Sequence, residues 1–199
     1  MTTLHISNNQ LTTLPNTIGD CHRLTVLMAG YNQISNLPLK FGNLKFLTIL
    51  DLQNNQLTEF PGYYFKSLIN LNLSKNRIRV LPFEITHLES LEQLDLSFND
   101  IQEIPEYLKT LTKLKQLNLN GNQISYLPDI SDCNNLVCLE LQENNFWEFP
   151  EIIASLTNLR QLYLGKNRIK KIPPIIKNLK YLQLLDLEEN ELTEIAVEI

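Results

Sequence analysis

Long apolar runs are missing from this sequence. Nowhere do about 18 apolar residues follow one another, so no membrane-spanning helix is expected. The opening Met1-Thr2-Thr3-Leu4-His5 also lacks the charged and apolar regions of a secretory leader. Cysteine is scarce: Cys21, Cys133 and Cys138 cannot all pair, and none is flanked by histidine at metal-ligand spacing. Free thiols and a cytoplasmic setting are the expectation, with export by specialised bacterial machinery left open. Basic charge is not in excess either. Seventeen Lys and Arg stand against 22 Asp and Glu, a formal net charge of −5. That balance repels phosphate backbones and offers anionic lipid no polybasic surface, so neither nucleic acid nor membrane is expected as a partner.

What the chain has instead is a repeat. Hydrophobic residues make up 43% of it, which excludes disorder. One pattern restarts at residues 1, 24, 47, 68, 91, 114, 136, 159 and 182, so residues 1–199 read as a single domain of nine units. The template is L-x-x-L-x-L-x-x-N-x-L-x-x-L-P-x-x-I-x-x-L-x-x. Its ninth position is always asparagine: Asn9, Asn32, Asn55, Asn76, Asn99, Asn122, Asn144, Asn167 and Asn190. Its fifteenth is proline in every unit but the last, where Ala196 stands.

Each element of the template has a physical reading. Leu-x-Leu, as in Leu94-Asp95-Leu96, places apolar side chains on one face and a polar one on the other, which is a half-buried strand. The chain must then turn within an apolar interior. An asparagine amide carries both donors and an acceptor for the backbone groups of such a turn, so the asparagine column is expected to be structural. Proline cannot donate inside a strand and starts the return leg, where apolar residues three apart suit a short 3₁₀ or α turn. The third unit is two residues short around Gly62-Tyr63-Tyr64-Phe65, and the sixth is one short around Asp129 to Cys133. Tyr64 and Phe65 are expected to refill the shortened core, with an exposed Tyr63/Tyr64 knob as the alternative. Cys21 and Cys133 are expected to be buried and Cys138 exposed.

These motifs resemble the leucine-rich repeat family, in the class whose 23-residue units carry a Leu-Pro-x-x-Ile segment, along the whole chain. The resemblance implies an α/β solenoid: a right-handed arc with a parallel sheet on the concave face and short helical or extended segments on the convex face. It also implies a protein-binding role.

No chemistry-bearing motif competes with that reading. A glycine-rich phosphate loop, H-E-x-x-H, C-x-x-C and G-x-S-x-G are all absent. His5, His22 and His87 fall at three different template positions and are expected at the surface or an edge, so no metal, cofactor or catalytic residue is expected. Position five should project into the concavity, where it supplies Met28, Asp51, Asn72, Asp95, Glu140 and Tyr163. With Val26 and Ile49 at position three, Met28 and Tyr31 suggest an apolar docking patch. The acids suggest a partner with a basic or mixed surface, and Phe98 and Tyr163 are further aromatic anchors. A hydrolase using the concave carboxylates is the weaker reading, because no insertion builds a pocket wall. Polar capping units are missing or minimal at both ends, so association of copies through the ends, a self-assembling array or a segment of a larger protein stand as alternatives.

Overall fold

Each strand is three residues long and ends at position five, and in five of the nine units a side-chain bond closes the turn there. Asp51, Asn72, Asp95, Asn118 and Asp186 each turn a side-chain oxygen back onto the N–H two residues ahead, at 2.9–3.0 Å. Such a bond closes a local turn and competes with the strand ladder. The computed structural model describes residues 1–60 and 63–195. Pro61, Gly62 and Ala196 to Ile199 lie outside the described residues, and with them two members of the fifteenth column and the end of the ninth unit.

The strands are β1 (Thr3–His5), β2 (Val26–Met28), β3 (Ile49–Asp51), β4 (Asn70–Asn72), β5 (Gln93–Asp95), β6 (Gln116–Asn118), β7 (Cys138–Glu140), β8 (Gln161–Tyr163) and β9 (Leu184–Asp186). They form one parallel sheet in chain order. Equivalent positions face one another throughout, as in Leu27↔Leu50 and Leu94↔Leu117, so the leucines of each column stack into a continuous core. This is the leucine-rich repeat solenoid that the motifs imply.

Return legs begin at the proline column. Pro15, Pro38, Pro82, Pro105, Pro150 and Pro173 hold φ between −68° and −75°, and each opens a five-residue 3₁₀ turn. The third and sixth units have no such turn among the described residues, which is where the deletions fall.

In the third unit the core is refilled by Phe65, fully buried, and by Tyr63 rather than Tyr64. Tyr63 lies against Phe41 and Phe65 at 5.5 and 5.3 Å between ring centroids, and its hydroxyl donates to the Pro38 carbonyl at 3.0 Å. Burial and the nearby Glu59 push its pKa up to about 12. Tyr64 is 59% exposed and stacks on His87 at 4.1 Å. His87 is therefore half-buried, and its Nδ1 is buried without a partner among the described residues. Of the thiols only Cys133 is buried; Cys21 and Cys138 are both half-buried. Burial pushes Cys133 and Cys138 up to about 11, so both are neutral thiols near pH 7.

Candidate functional site: the inner face of the sheet

Two columns organise the turn between the inner face and the return leg. Position eight has positive φ in every repeat, from 51° at Asn54 to 61° at Gly121. Glycine and asparagine tolerate this conformation, whereas other side chains cost about 1 kcal/mol there. The turn brings carbonyls six and seven round onto the asparagine at position nine. Asn55 is representative: its amide donates to the carbonyls of Leu52, Gln53 and, one repeat back, Ala29, while its Oδ1 accepts from the Ile34 N–H at 2.9 Å. The same set recurs through Asn190. The Asn9 side chain donates to the Ile6 and Ser7 carbonyls and makes no other hydrogen bond among the described residues.

Above the leucines, the inner face carries a shallow groove of about 400 Å³. Met28, Ile49, Asp51, Asn72, Asp95 and Glu140 line it together. Val26, on β2 and paired in register with Ile49, and Tyr163, on the adjoining β8 and paired with Glu140, are half-buried outside the groove. Tyr31 and Phe98 are elsewhere. They occupy the left-handed position eight, past the strand ends, and stand 42% and 46% exposed on the rim. Phe98 lies over Gly121, where a Cβ would come within 2.4 Å of its ring, and Lys75 Nζ sits 5.9 Å from its centroid.

The acids of the inner face are largely engaged within the chain. Asp51 is only 7% exposed, and its two oxygens are taken by the backbone and side-chain N–H groups of Gln53. Asp186 is held by the Glu188 N–H and, across the side-chain-free Gly165 in the intervening repeat, by Gln142 Nε2 at 2.7 Å. Glu140 accepts from Asn120 at 2.8 Å and from Cys138. Asp95 has one oxygen committed, to Ser97 N–H. The position-five aspartates are thus first of all turn formers, whereas Glu140 is held by side chains. The amide of Asn72, within the only Asn-x-Ser/Thr sequence of the chain, is likewise engaged by Ser74 through N–H and hydroxyl.

Burial, followed by the charge of Asp95, holds the Glu140 carboxyl above its ordinary range against the opposing hydrogen bonds from Asn120 and Cys138. A carboxyl whose folded pKa is raised contributes stability below the unfolded value and loses it as pH rises through the folded value. Glu140→Gln keeps an acceptor for Asn120 and removes the charge. The variant is expected to melt above the parent at neutral pH and to converge with it in acid. A melting difference independent of pH would rule out this account.

Sequence reasoning overlooked two aromatic residues on the opposite side of the molecule. Tyr126 and Trp147 are 72% and 60% exposed and line a convex groove of about 1070 Å³. Comparing columns down the template would have found them, since Trp147 stands at position twelve, where the other eight repeats carry polar residues. Among the described residues no group of three or more His, Cys, Asp or Glu is placed to hold a metal ion, and no helix is long and apolar enough to cross a membrane.

Family profiles described as leucine-rich repeats match residues 45–101, 110–126 and, in a two-copy form, 1–40, 22–64 and 157–197. No curated protein gives a significant match. Among solved structures, a leucine-rich repeat protein of Leptospira interrogans is 38% identical with a TM-score of 0.93 over 96% of this chain and 49% of its own. The ectodomain of the Arabidopsis thaliana receptor kinase GASSHO1/SCHENGEN3, solved in complex with CASPARIAN STRIP INTEGRITY FACTOR 2, is 32% identical with a TM-score of 0.85 over 98% of this chain and 24% of its own. A functional domain of the internalin InlJ from Listeria monocytogenes is 26% identical with a TM-score of 0.85 over 98% and 41%. The chain thus spans about half or less of each of these proteins.

Proposed function

This chain belongs to the leucine-rich repeat family, and on that premise we propose that it is a non-catalytic module whose inner face binds a protein partner. The observation that carries the reading is the character of the inner groove. Its apolar side, Met28 and Ile49, is left half-exposed although the leucine core beneath is already complete. Half-exposed apolar groups with no role in the core are the usual anchors of an interface. The polar side is a lattice of committed carboxylates and amides, which favours recognition over hydrolysis: the acids are fixed by turn hydrogen bonds beside an open surface. The Arabidopsis ectodomain, which binds its protein factor with the same fold, supports the general reading.

Within this reading Met28, Ile49 and Val26 supply apolar affinity, and Asp95, with its one uncommitted oxygen, supplies charge complementarity to a basic or mixed surface. Tyr31 adds an aromatic contact at the rim. A photo-crosslinking residue at position 28 is expected to capture a partner from native extract, whereas the same residue at convex Lys177 is not. Binding by that partner should fall about tenfold or more in Met28→Glu at any ionic strength. In Asp95→Lys it should fall mainly through slower association, a defect that shrinks as salt rises. Tyr31→Gly offers a sharper test. Because φ is 56° at Tyr31, glycine relieves about 1 kcal/mol of backbone strain, so the variant should be as stable as the parent or more so while binding more weakly. Capture at position 177 with unaltered binding by Met28→Glu would move the site to the convex face.

A further inference from the structure

The convex groove, lined by the sixth to ninth repeats, has a chemistry of its own. Nothing in the core requires aromatic rings at its mouth, since the buried residues beneath, Phe146 and Phe149, already close that layer. Tyr63 and Tyr107 direct their hydroxyls onto backbone carbonyls of the preceding repeat, whereas Tyr126 O–H and Trp147 Nε1–H have no hydrogen-bond partner among the described residues. The groove therefore offers two unengaged donors beside two ring faces, with Pro150 and Pro173 in its lining.

An occupant suited to donors and ring faces brings carbonyl acceptors, flat apolar rings and few N–H groups. A proline-rich segment in the polyproline II conformation has those properties. Its backbone makes no internal hydrogen bonds, and its carbonyls are free to accept. Length agrees as well. Tyr126, Trp147 and Lys170 come from three successive repeats, two inter-strand gaps of about 5 Å apart at the sheet, against about 9 Å for one three-residue polyproline II turn. Charge selects further. Lys171 is neutralised by Glu194 at 3.0 Å, which leaves Glu148 and Glu151 against Lys170 in the lining, so the part of the groove beside Trp147 is acidic. We propose that this groove is a second docking site, separate from the inner face, for an extended proline-containing peptide segment with a basic residue facing Glu148 and Glu151.

Trp147 is the only tryptophan of the chain, so its fluorescence reports directly on the groove. Titration with a blocked peptide of tandem Pro-Pro-Lys units is expected to give a saturable blue shift, with affinity about tenfold weaker for Pro-Pro-Glu and for Ala-Ala-Lys units. Tyr126→Ala, which retains the reporter, and Glu148→Lys should each weaken the response. Met28→Glu should leave it unchanged, which keeps this result independent of the inner-face reading. The proposal is overturned by the absence of a saturable response, or by equal affinity for all three peptides. A shift produced by raising protein concentration alone, with a dimer in sedimentation, would assign the groove to a second copy instead. A shift with phospholipid vesicles but not with peptide would assign it to a lipid surface, and either result counts against the proposal.

Discussion

Replacing Asn99 by leucine is expected to lower the stability of the chain by about 2–4 kcal/mol, although the two side chains are close in size. The loss comes from the backbone. Asn99 is 7% exposed; its amide donates to the carbonyls of Leu73, Leu96 and Ser97, and its Oδ1 accepts from the Ile78 N–H. Leucine removes all four bonds and strands their partners in a buried turn, where each unsatisfied group costs about 1–3 kcal/mol before relaxation. Urea unfolding should show a lower midpoint with an unchanged slope. Asn9→Leu is the internal comparison. Asn9 is exposed and its side chain makes only two hydrogen bonds, so its replacement should cost less than about 1 kcal/mol. Equal losses at positions 9 and 99 would mean that the column does not act as a ladder between repeats.

Phe65→Ala is expected to be the most damaging single truncation, at about 3–5 kcal/mol. The third repeat has no 3₁₀ turn among its described residues, and Phe65 fills the space beside Phe41, edge-on at 5.8 Å, and Tyr63. Neighbouring coils cannot collapse into the vacancy without shifting the aligned leucines of Phe41's repeat. Tyr64→Ala removes a ring that is already 59% exposed and should cost within about 1 kcal/mol, the share of its stacking on His87. Thermal melts of the two variants decide the matter: a larger loss at Tyr64 would mean that the aromatic assignment of this repeat is reversed.

The inner face shows how far column reasoning reaches. Position five identifies the residues that line the groove, and Met28, Asp95 and Glu140 do line it. It does not reveal that Asp51 is buried and saturated, because that depends on Gln53 folding back over it. Nor does it separate Tyr31 and Phe98 from the groove. Position eight lies three residues past position five, beyond the strand end, and its left-handed backbone sets both side chains on the rim. In the third unit a two-residue deletion changes which of two adjacent tyrosines points inward, an outcome decided by the space over Gly42, where a Cβ would come within 2.8 Å of the Tyr63 ring.

The periodicity alone determined the architecture. A unit that cannot bury its own leucines must stack on its neighbours, and strict spacing of Leu, Asn and Pro aligns like with like in every register pair. That information is local and repeated, so one reading of the template serves all nine units. Only the tertiary structure decided which exposed groups are free to act, because that property belongs to pairs of coils. Gln142 reaches Asp186 only because the repeat between them carries Gly165, and Asn120 engages Glu140 from the repeat before it. Such contacts join residues 20 to 44 positions apart, a separation at which a single-unit template carries no information.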